Sequence, residues 1–193
     1  LDYIAFIVIG YGKVGGIELG YGSDLDLVFI HAMDEQADTD GKKPISGFEF
    51  AMRVAQKFMS LMTTQTLDGR VYEIDTRLRP SGEAGLLVTS FKAFEQYQFK
   101  SAWVWEHQAL VRARSIAGET TLCQDFEQLR CRILTQVRDE GMVRDEVIKM
   151  RQKMKAHLGS SKEQQKDGIF HLKQDAGGIV DIEFMAQYAV LAW

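Results

Sequence analysis

The chain has 193 residues, of which 46% are hydrophobic and 26% are charged, and its formal net charge is −4. This composition supports a packed core and excludes a disordered tail, a collagen and a disulfide-stapled miniprotein. The negative charge disfavours a nucleic-acid partner, because affinity for phosphate backbones comes mainly from basic side chains.

The distribution of apolar residues and of the two cysteines predicts where in the cell the protein is found. No apolar run approaches the roughly 18 residues that a membrane span needs, and no leader segment opens the chain. Cys123 and Cys131 are eight positions apart in a helical pattern, too far for a disulfide. We therefore expect a soluble, cytoplasmic protein with no membrane contact. The chain lacks an initial Met and ends at Trp193 in an apolar run, which predicts a fragment of a longer protein.

The first 80 residues alternate between strand and helix patterns. Apolar runs at Ile4–Ile9 and Leu25–Ile30 predict two buried strands. A stripe of apolar residues from Phe48 to Met62 predicts an amphipathic helix. Alternation from Val71 to Leu78 predicts a third strand, which ends before Pro80.

The rest of the chain is helical in pattern. Apolar stripes run from Leu122 to Ile133 and from Val143 to Met154, and a last helix is expected to begin at the Gly177–Gly178 pair. The change of pattern predicts an α+β fold, with a small mixed-sheet core over residues 1–88 and a helical subdomain over residues 89–193.

The stretch from Gly10 to Gly15 matches the dinucleotide-binding fingerprint G-x-G-x-x-G. That fingerprint requires a helix that crosses the sheet before the next strand, and an acidic residue about 20 positions later. Only residues 17–23 separate Gly16 from Asp24, and two of them are glycines. No crossing helix fits there, so we reject a Rossmann site. A Walker phosphate loop is also rejected, because Val14 follows Lys13 and the glycine spacing is wrong.

Acidic residues in the strand patterns predict a phosphoryl-transfer or nucleotidyl-transfer site. Asp24 and Asp26 share one face of a strand because side chains alternate with a period of two. Two neighbouring carboxylates repel each other and are stabilised by a hard cation such as Mg²⁺. By the same alternation, Asp75 shares a face with Arg77 and Arg79, whose guanidinium groups suit phosphate oxygens. Three acids beside two arginines fit a two-metal site.

A strand-borne Asp-x-Asp preceded by small residues, with a third Asp on a later strand, resembles the nucleotidyltransferase superfamily of polymerase beta. That superfamily has a small-residue pair before the acids, for which the candidates are Gly15 with Gly16 or Gly22 with Ser23. Longer segments are similar to the glutamine synthetase adenylyltransferase family: GYGKVGGIELGYGSDLDLVF (10–29), RLRPSGEAGLLVTS (77–90), WEHQALVRAR (105–114), MRQKMKAHLG (150–159) and DAGGIVDIEF (175–184). These segments resemble the C-terminal, adenylylating half of that family. Gly22 stands where the family pattern has Ser.

The resemblance implies a function and a set of site residues. It implies transfer of AMP from ATP to a tyrosine of glutamine synthetase, with two Mg²⁺ ions or Mn²⁺ in their place, and regulation by the PII signal protein and by glutamine. The metal ligands and catalytic residues would be Asp24, Asp26 and Asp75, with Asp75 the candidate base. Nucleotide-binding residues would be Gly15, Gly16, Ser23, Arg77, Arg79 and Lys13.

Two alternatives stay open at the level of sequence. The first is the adenylyl-removing half of the same family, which shares the acids and uses phosphate in place of ATP. The second is a catalytically silent nucleotidyltransferase fold that serves as a regulatory module. The three acids disfavour the silent module, and the negative charge disfavours a transferase that acts on nucleic acid.

Overall fold

Five strands form one mixed sheet in the computed structural model, which describes residues 4–34, 37–67, 69 and 72–193. The strands are β1 (Phe6–Gly10), β2 (Leu25–His31), β3 (Ile74–Asp75), β4 (Val88–Ser90) and β5 (Arg114–Gly118). Their order is β3–β2–β1–β5, and β4 also pairs with β2. The mixed sheet and its helices agree with the predicted α+β class.

The described residues form eight α-helices. They are α1 (Gly12–Gly15), α2 (Gly47–Thr63), α3 (Phe91–Lys100), α4 (Val104–Leu110), α5 (Thr120–Leu134), α6 (Glu140–Leu158), α7 (Lys162–Lys166) and α8 (Ile179–Ala192). Of these, α2, α5 and α6 coincide with the predicted stripes. Helix α8 begins directly after Gly178, as the glycine pair predicted. Cys123 and Cys131 both lie on α5 as reduced thiols, which confirms that they form no disulfide.

The direction of the strands confirms that the early glycine motif is not a Rossmann site. β1 and β2 pair antiparallel, with Gly10 opposite Leu27. A dinucleotide fingerprint joins two parallel strands through a crossing helix. Here only the four-residue α1 and a loop connect the strands, so the glycines serve a tight reversal of the chain.

Helix α2 covers one face of the sheet and thereby fixes which face carries the acids. The Ser46 hydroxyl accepts a hydrogen bond from the Glu49 amide at 3.2 Å and caps the helix. Ala51 and Ala55 are fully buried, and the same apolar cluster contains the odd-numbered β2 residues Leu25, Leu27 and Phe29. Since side chains alternate along a strand, Asp24 and Asp26 face away from α2.

The third strand is shorter than the alternation predicted. Val71 lies outside the described residues, and β3 consists of Ile74 and Asp75 alone. Beyond Asp75 the chain turns, and a short 3₁₀ helix follows at Gly82–Ala84. The prediction that Arg77 and Arg79 continue the strand is therefore wrong, although both stay next to the acids.

The chain divides into two compact units. Residues 1–102 and 112–133 form the first, which contains the whole sheet, and residues 103–111 and 134–193 form the second. In the second unit, Val143 and Val147 of α6 pack with Leu191 of α8. In the part of the chain that the structure describes, no helix combines the length and apolar character needed to cross a membrane.

Asp175 organises the loop before α8 in the second unit. Its carboxylate accepts hydrogen bonds from the Ser160 hydroxyl at 2.7 Å, the Ser160 amide at 2.8 Å and the His171 amide at 2.7 Å. The bond from the Ser160 hydroxyl is the largest cause, with the two amides adding to it, of a lowering of the Asp175 pKa to about 2. These bonds stabilise the ionised form, so they stabilise the fold only while the carboxyl is charged.

We expect Asp175→Asn to lower the melting temperature of the protein at pH 7 and to lower it progressively less in acid. An amide offers one acceptor oxygen in place of two charged ones. The folded pKa lies below the unfolded value near 3.8, so the stabilisation is complete above about pH 4 and is lost as the pH falls toward 2. Thermal melts of both proteins between pH 2 and 7 measure this. A difference that stays constant over that range would contradict it, and the exposed Asp145→Asn is the control.

Candidate active site

The three predicted acids come together at one end of the sheet. In the parallel pairing of β2 with β3, Asp26 lies directly opposite Asp75 and Leu25 opposite Ile74. Directly opposed residues share a face, so Asp75 lies on the same face as Asp26 and, by alternation, Asp24. Asp24 is exposed and Asp26 is half-buried. The predicted convergence of the acids on one face is therefore present.

An open, polar cleft adjoins these acids. It has a volume of about 610 Å³ and is lined by Asp24, Glu73, Ile74, Asp75, Thr76, Arg77, Arg79 and Glu83. The volume lies in the range of ordinary ligand sites. Four lining carboxylates and two guanidinium groups give a formal charge of −2, which by itself repels a polyphosphate. An anionic substrate therefore needs additional cations to bind there.

Arg77 folds back onto Asp75. Its backbone amide donates to Asp75 Oδ1 at 2.8 Å and its Nε donates to Oδ2 at 2.8 Å, while Nη2 contacts the same Oδ2. The Arg77 guanidinium holds the pKa of the Asp75 carboxyl below its usual value, and Asp75 in turn raises the pKa of Arg77. The Asp26 charge contributes to the raised pKa of Arg77, which indicates that Arg77 lies close to both acids.

The three acids have the chemistry to bind a divalent cation, but Asp75 is already hydrogen-bonded to Arg77. Carboxylate oxygens on one face are the ligands that Mg²⁺ prefers. Within the described ranges, no three His, Cys, Asp or Glu side chains converge closely enough to hold a metal ion. The Arg77 guanidinium occupies Asp75 Oδ2, and the Arg77 amide takes one lone pair of Oδ1, so release of the guanidinium would free more of the carboxylate for a cation shared with Asp24 and Asp26.

Arg79 binds the loop that follows the acids. Its guanidinium donates to the Thr76 carbonyl at 2.8 Å, the Thr76 hydroxyl at 2.9 Å, the Glu83 carbonyl at 3.1 Å and the Gly85 carbonyl at 3.2 Å. These bonds hold residues 76–85 as one unit at the wall of the cleft. Arg79 thus lines the cleft with all three guanidinium nitrogens bonded to this loop, and its contact with phosphate stays a prediction.

The glycine loop, residues 11–24, joins β1 to β2, and its glycine pair is needed for close packing. A Cβ on Gly15 would lie 2.1 Å from the Arg112 carbonyl oxygen, and one on Gly16 would lie 2.7 Å from Arg112 Nη2. The amides of Gly15 and Gly16 donate to the carbonyls of Tyr11 and Gly12. Both amide hydrogens are therefore bonded within the loop. Glycine is needed at both positions because a larger residue would clash with Arg112.

A different set of loop residues lies nearest the acids. The Lys13 amine is 3.4 Å from the Ser23 hydroxyl, which also accepts a hydrogen bond from the Gly20 amide at 3.3 Å. Gly12 has a φ of +51°, and a Cβ there would lie 2.4 Å from Asp26 Oδ2. The structure thus brings Lys13 and Ser23 together beside Asp24, and places the Gly12 backbone against Asp26.

Arg112 and Arg114 support the glycine loop, and the sequence analysis assigned neither of them a role. Arg114 donates from Nε to the Gly15 carbonyl at 3.2 Å and from Nη2 to the Val14 carbonyl at 3.3 Å. Arg112 forms a salt bridge with Glu18. A signal was present in the sequence, because both arginines lie in the 105–114 segment that carried the family resemblance.

Comparisons with known proteins agree with the resemblance. The family pattern of Glutamate-ammonia ligase adenylyltransferase matches residues 2–129. A relative from Acinetobacter baylyi, named as a bifunctional glutamine synthetase adenylyltransferase/adenylyl-removing enzyme, is 84% identical over all of this chain and 21% of its own length. Relatives of the same name from Pseudomonas putida and Hahella chejuensis are 55% and 54% identical over 97% and 100% of this chain.

These relatives are much longer than the chain, which spans about a fifth of their length. Their names describe adenylyltransferases, which are nucleotidyl-transferring enzymes, and both named activities belong to the whole proteins. The family match covers two thirds of this chain, including the sheet and every residue of the cleft. The chain therefore belongs to the glutamate-ammonia ligase adenylyltransferase family.

Proposed function

We propose that this chain is the adenylylating part of its family and transfers AMP from ATP to a tyrosine hydroxyl of glutamine synthetase. The observation that carries the proposal is the pairing of Asp26 with Asp75, which puts three acids on one face beside an open polar cleft. The names of the relatives supply the protein substrate. The family resemblance supplies the tyrosine and the regulation by PII and glutamine.

The acidic residues would hold Mg²⁺, or Mn²⁺ in its place. Asp26 lies on β2 and Asp24 immediately precedes that strand, and Asp75 would join them from β3 as the Arg77 guanidinium leaves its carboxylate. Bound there, the ions would supply positive charge for the triphosphate and for the pyrophosphate that leaves. The residues that line the cleft carry a formal charge of −2, so a triphosphate needs the positive charge of such ions to bind there.

The residues around the acids would bind and orient the nucleotide. Arg77, once released from Asp75, offers a planar pair of donors that matches phosphate oxygens. Lys13 and Ser23 would contact the triphosphate from the glycine loop, whose backbone is fixed by the packing of Gly15 and Gly16 on Arg112. Arg79 would fix the wall of the cleft that residues 76–85 form, through its hydrogen bonds to that segment.

The reaction forms a bond from the tyrosine oxygen to the α-phosphorus as the bond to pyrophosphate breaks. A phenol has an ordinary pKa near 10, so its proton must be removed by a nearby group. Asp75 is the proposed acceptor. While Arg77 holds it, its lowered pKa makes it a weak base, so proton removal also depends on the release of Arg77.

The proposal is tested by incubating the chain with α-labelled ATP, glutamine synthetase and either Mg²⁺ or Mn²⁺. We expect label on a tyrosine of glutamine synthetase and one pyrophosphate released for each AMP attached. Loss of label from adenylylated glutamine synthetase that depends on phosphate would instead identify the removing activity. Firm ATP binding without any transfer would indicate a silent regulatory module.

A further inference from the structure

Two apolar side chains project from the glycine loop next to the candidate active site. Ile17 is 79% exposed and Tyr21 is fully exposed. Ile17 directly follows the Gly15–Gly16 pair, and Tyr21 lies three residues before Asp24. Single exposed apolar residues are common on protein surfaces, so exposure alone does not identify a binding surface.

The backbone of Ile17 gives a second reason to assign this segment a role. Its φ is +60°, a conformation that β-branched residues rarely adopt. This conformation costs free energy, and the exposed side chain recovers little of it by burial in this chain. Glycine in the same place would adopt the conformation without strain. The isoleucine side chain therefore does little to stabilise the loop in which it lies.

Arg112 holds the residues on both sides of Ile17. Its guanidinium forms a salt bridge with Glu18, and it also packs against Gly16, where a Cβ would lie 2.7 Å from Nη2 and 2.9 Å from Nε. The loop is thus fixed before and after Ile17. With both neighbours fixed, the Ile17 side chain itself stays exposed.

The cleft itself offers little apolar surface to a protein substrate. Every residue that lines it is polar or charged except Ile74. Such a lining suits phosphates and cations, whereas a protein segment that carries a tyrosine also needs apolar contacts. Protein interfaces are enriched in tyrosine at their centres, and a few aromatic or aliphatic anchors supply most of the binding energy. The glycine loop, which leads into Asp24 and places its Gly12 against Asp26, carries exposed side chains of this kind.

We propose that Ile17 and Tyr21 form the docking surface for the segment of the protein substrate that carries the target tyrosine. This inference rests on the proposed function and specifies the partner of the same site. The loop then has two roles. Lys13 and Ser23 contact the nucleotide, and the exposed side chains of Ile17 and Tyr21 contact glutamine synthetase.

The test compares Ile17→Gly and Tyr21→Ser with the wild-type chain. We expect the KM for glutamine synthetase to rise about tenfold in each variant, with the KM for ATP unchanged. Ile17→Gly is expected to keep or raise the melting temperature, because glycine removes the strain. A purely structural role for Ile17 predicts the opposite: a lower melting temperature together with a change in both KM values.

Leu61→Ser is the matched control, since Leu61 is 63% exposed on α2, which covers the other face of the sheet. Its KM for glutamine synthetase should equal that of the wild type. If the wild type transfers AMP and both loop variants keep its KM for glutamine synthetase, the docking surface is wrong and the proposed function stands. If the wild type transfers no AMP to glutamine synthetase, both proposals fail.

Discussion

Asp26→Asn should abolish AMP transfer, with a rate at least about 10³-fold below that of the wild type. Asp26 has Asp75 directly opposite on β3 and shares its strand face with Asp24, so it is the central member of the three acids. The amide keeps the shape of the carboxylate and loses its charge, and therefore most of its affinity for a divalent cation. It also removes repulsion among the acids, so the free energy of unfolding should change by no more than about 0.5 kcal/mol.

Steady-state transfer assays and thermal melts of the same preparation measure both quantities. Glu83→Gln is a suitable control, because Glu83 lines the same cleft and contributes its backbone carbonyl, not its carboxylate, to the bond with Arg79. That variant should keep its transfer rate within a few-fold of the wild type. Ordinary transfer by Asp26→Asn in the same assay would exclude the proposed metal site.

The shared face of Asp24 and Asp26 could be predicted because it depends on local geometry alone. Leu25–His31 is a strand and Asp24 directly precedes it, so a period of two puts Asp24 and Asp26 on the same side. The face of Asp75 depends in addition on a non-local contact, because the parallel pairing of β3 with β2 is what puts Asp75 opposite Asp26. Helix α2 could be predicted for a reason similar to that for Asp24 and Asp26. One of its faces packs against one face of the sheet, and that face appears in the sequence as an apolar stripe.

The alternation failed for Arg77 and Arg79 because side-chain hydrogen bonds end the strand. The Arg77 amide donates to Asp75 Oδ1, which turns the chain immediately after β3. Such local bonds from Asp to the backbone compete with strand pairing. A pattern of apolar and polar residues does not record this competition, so the sequence predicted a longer strand with Arg77 and Arg79 on the same face as Asp75.

The family resemblance marked the segment that contains Arg112 and Arg114, but the contacts of these arginines with the glycine loop could not be predicted from the sequence because they are non-local. Arg114 contacts Gly15 and Val14 from about 100 positions away along the chain. The glycine spacing matches a motif of another fold, and Gly15 with Gly16 is also a candidate for the small-residue pair of the superfamily. The physical requirement of the loop glycines, close approach to Arg112 and to Asp26, becomes visible only when β5 and β2 are assembled beside the loop.

The close approach of Gly12 to Asp26 leads to a prediction about the loop itself. Gly12→Ala should reduce the transfer rate by about 10²-fold while the protein stays folded. The new methyl group would lie 2.4 Å from Asp26 Oδ2, so the carboxylate must move away. Displacement of a reacting or coordinating group by about 1 Å can cost a factor of 10² in rate. The φ of +51° adds a conformational cost of about 1–2 kcal/mol.

A matched variant separates the contact with Asp26 from the conformational cost. Gly168 has a φ of +75° and open space around the position of a Cβ, so Gly168→Ala adds similar backbone strain without a clash. Both variants should melt several degrees below the wild type, and only Gly12→Ala should lose most of its transfer rate. Equal rates in the two variants would show that the position of the Asp26 carboxylate does not limit the reaction. A large loss in Gly12→Ala alone would tie catalysis to the approach of the glycine loop to β2.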